Sequence, residues 1–136
     1  MADRLTRSAR SRLMSRVRTR DTAPERIVRS VLHRLGYRFR LNGEDLPGKP
    51  DIVLPRHRKV IFVHGCFWHG HSRCKRGARP TTNVEFWNKK LDSNISRDRR
   101  ARIGLKKLGW QSLIVWECQT KNLANLRRKL ERFMSD

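Results

Sequence analysis

Val60-Ile61-Phe62-Val63-His64-Gly65-Cys66-Phe67-Trp68-His69-Gly70-His71-Ser72-Arg73-Cys74 decides how this chain is read. Its first four residues are β-branched or aromatic, the composition of a strand buried on both faces. The eleven positions that follow, 64–74, hold three histidines, two cysteines and the pair Phe67-Trp68. An ordinary loop seldom gathers metal ligands and large aromatics in this way. A core strand running straight into them predicts an α/β fold with its chemistry at the end of that strand.

Working outward, Pro50-Asp51-Ile52-Val53-Leu54 reads as a preceding strand, joined through the basic turn 55–59. The two strands form a hairpin. Asp51 opens one and His64 closes the other, so both meet at one edge of the sheet. Further upstream, 37–41 alternates as a strand, and 42–49 carries Asn-Gly and Pro-Gly turn signals. Thr22-Ala23-Pro24-Glu25 is a capping box with Pro in the first turn. Ile27, Val28, Val31, Leu32 and Leu35 then share one face, and Gly36 stops a helix of about 13 residues. On local pattern alone Glu25 caps its own helix. Residues 1–20 hold seven Arg against one Asp, a basic arm with a short helix expected at 11–18 and Met14 among its few apolar side chains.

Downstream, 65–82 is a long loop, of the kind that is functional or tied down. Residues 83–108 read as a charged helix with Trp87, Leu91, Ile95, Ile103 and Leu108 as its apolar positions. Gly104 is a point of interruption and Gly109 the end. A fourth strand is expected over 110–116, with Trp110 and Trp116 in the core, followed at once by Glu117-Cys118. Leu123, Leu126, Leu130 and Phe133 mark a C-terminal helix. The order is αβββαβα, a single domain over 21–136 behind the arm 1–20.

Thirty-three Lys and Arg against 12 Asp and Glu leave a formal charge of +21. Such self-repulsion is costly unless a polyanion is present, which makes nucleic acid the expected partner. A membrane surface is the weaker choice, because no long apolar run exists. Three cysteines, an odd number set among histidines, fit metal binding in a reducing compartment better than a disulfide scaffold. With no apolar signal core at the N-terminus, the cytoplasm is the expected location.

Three constellations carry chemistry. Cys66-x4-His71-x2-Cys74 with Cys118 makes a Cys3His set suited to a closed, structural Zn2+ site. Spacing alone does not choose between His69 and His71 as its histidine. Asp51 is a carboxylate suited to Mg2+, and His64 and His69 place two bases beside it, the parts of a phosphodiesterase site. Glu25 joins them if the first helix packs over that edge. Phe67-Trp68 and Phe86-Trp87 are aromatic pairs in basic sequence, suited to insertion between base steps. For the helix pair, core packing is an equally good reading.

These residues resemble the very short patch repair endonucleases of bacteria over nearly the whole chain. The carriers are Arg7-Ser8 and Met14, Thr19-Arg20-Asp21-Thr22 with Glu25, Leu46-Pro47-Gly48-Lys49-Pro50-Asp51 and the stretch from Val60 to His69. Glu85-Phe86-Trp87, Asn94, Arg97-Asp98-Arg99 and the run from Leu108 to Cys118 continue them. The resemblance implies a restriction-endonuclease-like fold, a mixed sheet between helices. It implies an enzyme that nicks DNA 5′ of the thymine in a T:G mismatch left by deaminated 5-methylcytosine, which starts mismatch repair. Asp51 and the main-chain carbonyl of Val63 would hold Mg2+, and Glu25 would reach it through water. His69 would be the general base, and His64 would contact the scissile phosphate. Cys66, His71, Cys74 and Cys118 would hold structural Zn2+. Phe67, Trp68 and Trp87 would wedge into the duplex from the major groove and Met14 from the minor groove, with the arm clamping the strand. Downstream mismatch-repair proteins and a repair polymerase are the implied partners, a nucleoid-associated location the implied setting and a monomer the simplest state.

The sequence departs from the family in three places. Ser72 and Arg73 both separate the second and third zinc ligands where one residue is common. The Glu-x-Lys element of restriction-like sites reads Phe62-Val63-His64 here, so charge is managed by metal and histidine. Val63 stands where Thr is common. Two alternatives compete with the mismatch nuclease: a restriction-like nuclease for undamaged sites, and a non-catalytic zinc-ordered DNA-binding module.

Overall fold

The computed structural model describes residues 22–72 and 74–135. Helix α1 (Ala23–Arg34) leads into strands β1 (Arg40–Leu41), β2 (Ile52–Leu54) and β3 (Lys59–His64). Helix α2 (Val84–Lys107), strand β4 (Gln111–Trp116) and helix α3 (Leu123–Ser135) follow. The four strands lie in the order β1-β2-β3-β4. The first two pairings are antiparallel and β3–β4 is parallel, so the sheet is mixed. The expected αβββαβα order is therefore observed. Met14, the arm 1–20 and its expected helix lie outside the described residues.

Local chemistry accounts for the first helix. The Thr22 N–H donates to Glu25 Oε2 at 3.0 Å, and the Glu25 N–H donates to Thr22 Oγ1 at 3.4 Å. Gly36 leaves the helix at φ +87°, a conformation open to glycine at little cost. Val28 and Leu32 of α1, Leu126, Leu130 and Met134 of α3, and Ile52, Leu54, Ile61 and Val115 of the sheet make one core. Val53, Val60 and Phe62 point the other way and meet Leu105 of α2. Alternation along the strands thus buries both faces, α1 and α3 on one and α2 on the other.

Several expectations need correction. The strand over 37–41 shrinks to two residues, because the Tyr37 N–H still bonds back to Leu32 O at 3.1 Å. Tyr37 and Phe39 instead pack against the first core. Gly104 does not interrupt α2. A Cβ there would lie 3.3 Å from the Pro47 ring, so the missing side chain serves close packing of the 42–50 loop on an unbroken helix. Trp110 precedes β4, its N–H bonded to Leu105 O at 2.9 Å. It is half-buried against the second core, with the Arg58 guanidinium over its ring. Lys59 belongs to β3 rather than the turn. It is 3% exposed, and its Nζ donates to Phe133 O at 2.5 Å. Ile103, Leu108 and Leu123 are exposed, and Met134 takes the core position expected of Phe133, which packs at the core's margin. Among the described residues no helix is long and apolar enough to cross a membrane.

Candidate active site and metal cluster

The hairpin β2–β3 brings the first carboxylates together. Asp51 stands just before β2, and the Val63 N–H of β3 donates to its Oδ2 at 2.6 Å. Glu25 is buried, and besides capping α1 its carboxylate lies close enough to Asp51 to raise the pKa of that carboxyl. Burial drives the Asp51 pKa up to about 7; the Val63 N–H opposes this and the Glu25 carboxylate adds to it. Two neighbouring carboxylates, Glu25 buried and Asp51 half-buried, are an unfavourable arrangement without a cation between them. Their hard oxygen donors fit a Mg2+-like ion.

One residue beyond Val63, His64 closes β3 and stacks on His69, ring centroids 3.7 Å apart and planes 8° from parallel. His69 Nδ1 lies 2.6 Å from Asp98 Oδ2, a bond that reaches from the 65–82 loop to the middle of α2. His64 Nε2 is 3.9 Å from the other Asp98 oxygen. Burial lowers the His64 pKa to about 4, His69 and Arg102 pushing the same way and Asp98 against it, so the ring is neutral near pH 7. Its Nδ1 is buried with no hydrogen-bond partner. The donor atoms of His64, His69 and Asp98 lie close enough for a metal, within 4.8 Å of one another. Imidazole lone pairs lie in the ring plane, however, and two stacked parallel rings cannot aim them at one ion. The trio is arranged to hold and move a proton instead. Of the trio, His69 and Asp98 open on a cleft of about 440 Å3 lined also by Arg97 and Arg100, cations placed for a phosphate.

The second cluster gathers Cys66, His71, Cys74 and Cys118, with all four donor atoms within 4.8 Å of one another. Spacing left His69 and His71 open; the structure puts His71 here and His69 with Asp98. Parallel pairing aligns His64 with Trp116, so Cys66 and Cys118 each sit two residues past a matched pair. Gly77 closes the loop so tightly that a Cβ would lie 2.3 Å from His71 O. Burial pushes the Cys66 thiol up to about 12. A tetrahedral zinc with Zn–S bonds near 2.3 Å sets its sulfurs about 3.8 Å apart, a spacing this donor set accommodates. The extra residue between His71 and Cys74 does not keep the four donors from converging.

Above these sites the aromatics form one cluster. Phe67 meets Trp68 and Trp87 edge to face at 5.1 and 5.5 Å. Trp87 is 8% exposed and Phe86 59%, so the helix pair divides into a buried base and an outward ring. Lys90 Nζ sits over both Trp68 and Phe86, at 5.6 and 6.0 Å. The Trp68 carbonyl accepts from Asn94 Nδ2 at 3.0 Å, which fixes the loop on α2.

Residues 2–76 match the family described as DNA mismatch endonuclease Vsr. Over 126 residues the chain is 45% identical to the DNA mismatch endonuclease Vsr of Escherichia coli K12, spanning 93% of this chain and 80% of that one. The chain belongs to the Vsr family. It is a DNA endonuclease, which sets aside the non-catalytic module. It is also 46% identical to the type II nicking enzyme V.XorIIP of Xanthomonas oryzae pv. oryzae, over 98% of both chains. To the type II nicking enzyme V.NmeAIP of Neisseria meningitidis it is 42% identical, over all of this chain and 96% of the relative.

Within this Vsr-family site, the residue that sequence reading named without a role is Asp98. Its signal was a lone carboxylate in the basic run Arg97-Asp98-Arg99-Arg100. Lys129 was missed as well. It donates to Gln119 Oε1 at 2.7 Å, it adds to burial in lowering the His71 pKa, and Cys118 partly offsets the lowering of its own, so a cation stands beside the thiol cluster.

Proposed function

We propose that this Vsr-family endonuclease nicks one strand of duplex DNA 5′ of the thymine in a T:G mismatch, with Mg2+ as its catalytic cofactor. The observation that carries the reading is the pairing of half-buried Asp51 with buried Glu25, joined through Val63 to the His64–His69–Asp98 trio. Asp51 and the Val63 carbonyl would hold Mg2+, with Glu25 acting through water; the bound ion would offset negative charge on the phosphate and leaving oxygen. The His69 Nδ1–H donates to Asp98, which leaves Nε2 as the lone pair that accepts a proton from the attacking water. His64, neutral and buried, faces the scissile phosphate. The water oxygen bonds to phosphorus as its proton passes to His69, the P–O bond in line with it on the same strand breaks, and the leaving oxygen takes up a proton from solvent, so that one strand is cut.

Around that centre, Cys66, His71, Cys74 and Cys118 hold Zn2+ and so order the 65–82 loop. Phe67 and Trp68 wedge beside the mismatch on the support of Trp87, and Met14 with the arm 1–20 meets the duplex from the minor groove. The sheet between helices agrees with a restriction-endonuclease-like fold. Relatives named as mismatch and nicking enzymes favour a single-strand cut over the restriction-like alternative, and a monomer suffices for it. Downstream repair proteins and a polymerase would take over the nick.

The test is a Mg2+-dependent nicking assay on a labelled duplex with a T:G mismatch in a CT(A/T)GG context, beside its matched control. Cleavage 5′ of the mismatched thymine on that strand only is expected, and Asp51→Ala abolishes it while duplex binding persists. Equal cutting of the matched duplex would overturn the mismatch assignment.

A further inference from the structure

We propose that Trp116 is a positioning residue that ties the cysteine–histidine metal cluster to the His64–His69 pair, so that the cluster sets the catalytic geometry as well as the loop. The inference rests on the assignment of those histidines to phosphodiester hydrolysis made above. Parallel register places Trp116 opposite His64, where side chains share a face of the sheet. The indole stacks on His71 at 4.2 Å and 11°. It meets His64 edge on at 5.4 Å and 75°, and His64 in turn stacks on His69. Four rings thus run without a gap from the metal cluster to the general base.

His64 has little else to hold it. Its Nδ1 has no partner, and its Nε2 lies 3.9 Å from Asp98, beyond hydrogen-bond range. Ring contacts with Phe62, His69 and Trp116 therefore fix the imidazole. Of these three, Trp116 is the one that also touches a cluster residue. Its own position is set from the cluster side: the Trp116 N–H donates to Gln119 Oε1 at 3.0 Å, in the turn that carries Cys118. A shift of His71 or Cys118 is passed through a rigid indole to His64, because close-packed rings cannot yield independently.

The experiment uses zinc-loaded protein and the cadmium-loaded form, in which a larger ion displaces the ligands. Imidazole 15N–1H spectra report His64, His69 and His71 separately. In the wild type, cadmium is expected to shift all three; in Trp116→Leu it shifts His71 alone, and Trp116→Phe restores the response. At saturating mismatched duplex, the single-turnover nicking rate of Trp116→Leu falls roughly tenfold to a hundredfold, as misplacement of a catalytic group does, while duplex Kd stays within about twofold. Cadmium that moves His71 but leaves His64 and His69 unchanged in the wild type overturns the inference, even if Trp116→Leu does not fold. Wild-type nicking by His69→Ala would instead remove the base assignment while the spectra still read the coupling.

Discussion

Asp98 holds the proposed catalytic trio together because a carboxylate at 2.6 Å from His69 Nδ1 fixes which ring nitrogen carries the proton. Asp98→Asn keeps the size of the side chain but lets its amide donate to the ring, which favours the opposite tautomer. The single-turnover nicking rate is expected to drop by about 10²-fold, the usual worth of an oriented base, with little change in duplex affinity. A rapid-quench measurement beside a filter-binding titration separates the two. An unchanged rate would show that His69 needs no orienting partner. Lys129 acts at the same scale. With the proposed zinc bound, three thiolates would leave the cluster net negative, and Lys129→Met removes the cation beside it, so zinc should pass to a colorimetric chelator faster than from the wild type. Glu25 shows why single residues are hard to read from local pattern: one carboxylate caps α1 through one oxygen and still reaches Asp51.

At the scale of elements, α2 is the beam on which the site is assembled. The 42–50 loop lies on it through small residues: a Cβ on Gly48 would stand 2.5 Å from Ala101 Cβ and 3.2 Å from the Phe62 ring, at φ +78°. Gly48→Ala therefore adds both a clash and backbone strain, and should cost about 1–3 kcal/mol. A lower Tm with weakened nicking would follow, since the same loop leads into Asp51; an unchanged Tm would refute the close approach. From its other side, Arg79 donates to Asn88 and Asp92 of α2 and ties down the end of the 65–82 loop. The expected helices and the β2–β3 hairpin were legible because period, caps and turn residues are local signals. β1 and the unbroken α2 were not, because pairing partners and the Pro47–Gly104 contact lie far apart in sequence.

For the whole molecule, charge and the cysteine–histidine cluster carry the predictions for affinity and stability. A chain at +21 binds duplex largely by releasing counterions, so log Kd should change steeply and linearly with log salt. A flat salt response in a titration at several ionic strengths would contradict that. The 65–82 loop links β3 to α2 and supplies three of four converging donors, the fourth being Cys118. Removing zinc with a strong chelator should lower the Tm and promote aggregation, because binding energy at such a site is folding energy. A melting curve indifferent to chelation would count against the cluster.

By itself the sequence determined the element order, the two-sided burial of β3, the donor residues and the basic character that calls for DNA. These follow from periodicity, spacing and composition, which are properties of neighbours along the chain. Only the tertiary structure decided that His71 rather than His69 joins the cysteines, that Asp98 meets His69, that Glu25 reaches Asp51, and that Trp116 stands between the cysteine–histidine cluster and the His64–His69 pair. Each of these depends on the distance between groups far apart in sequence, and the packing of the sheet between its helices sets that distance.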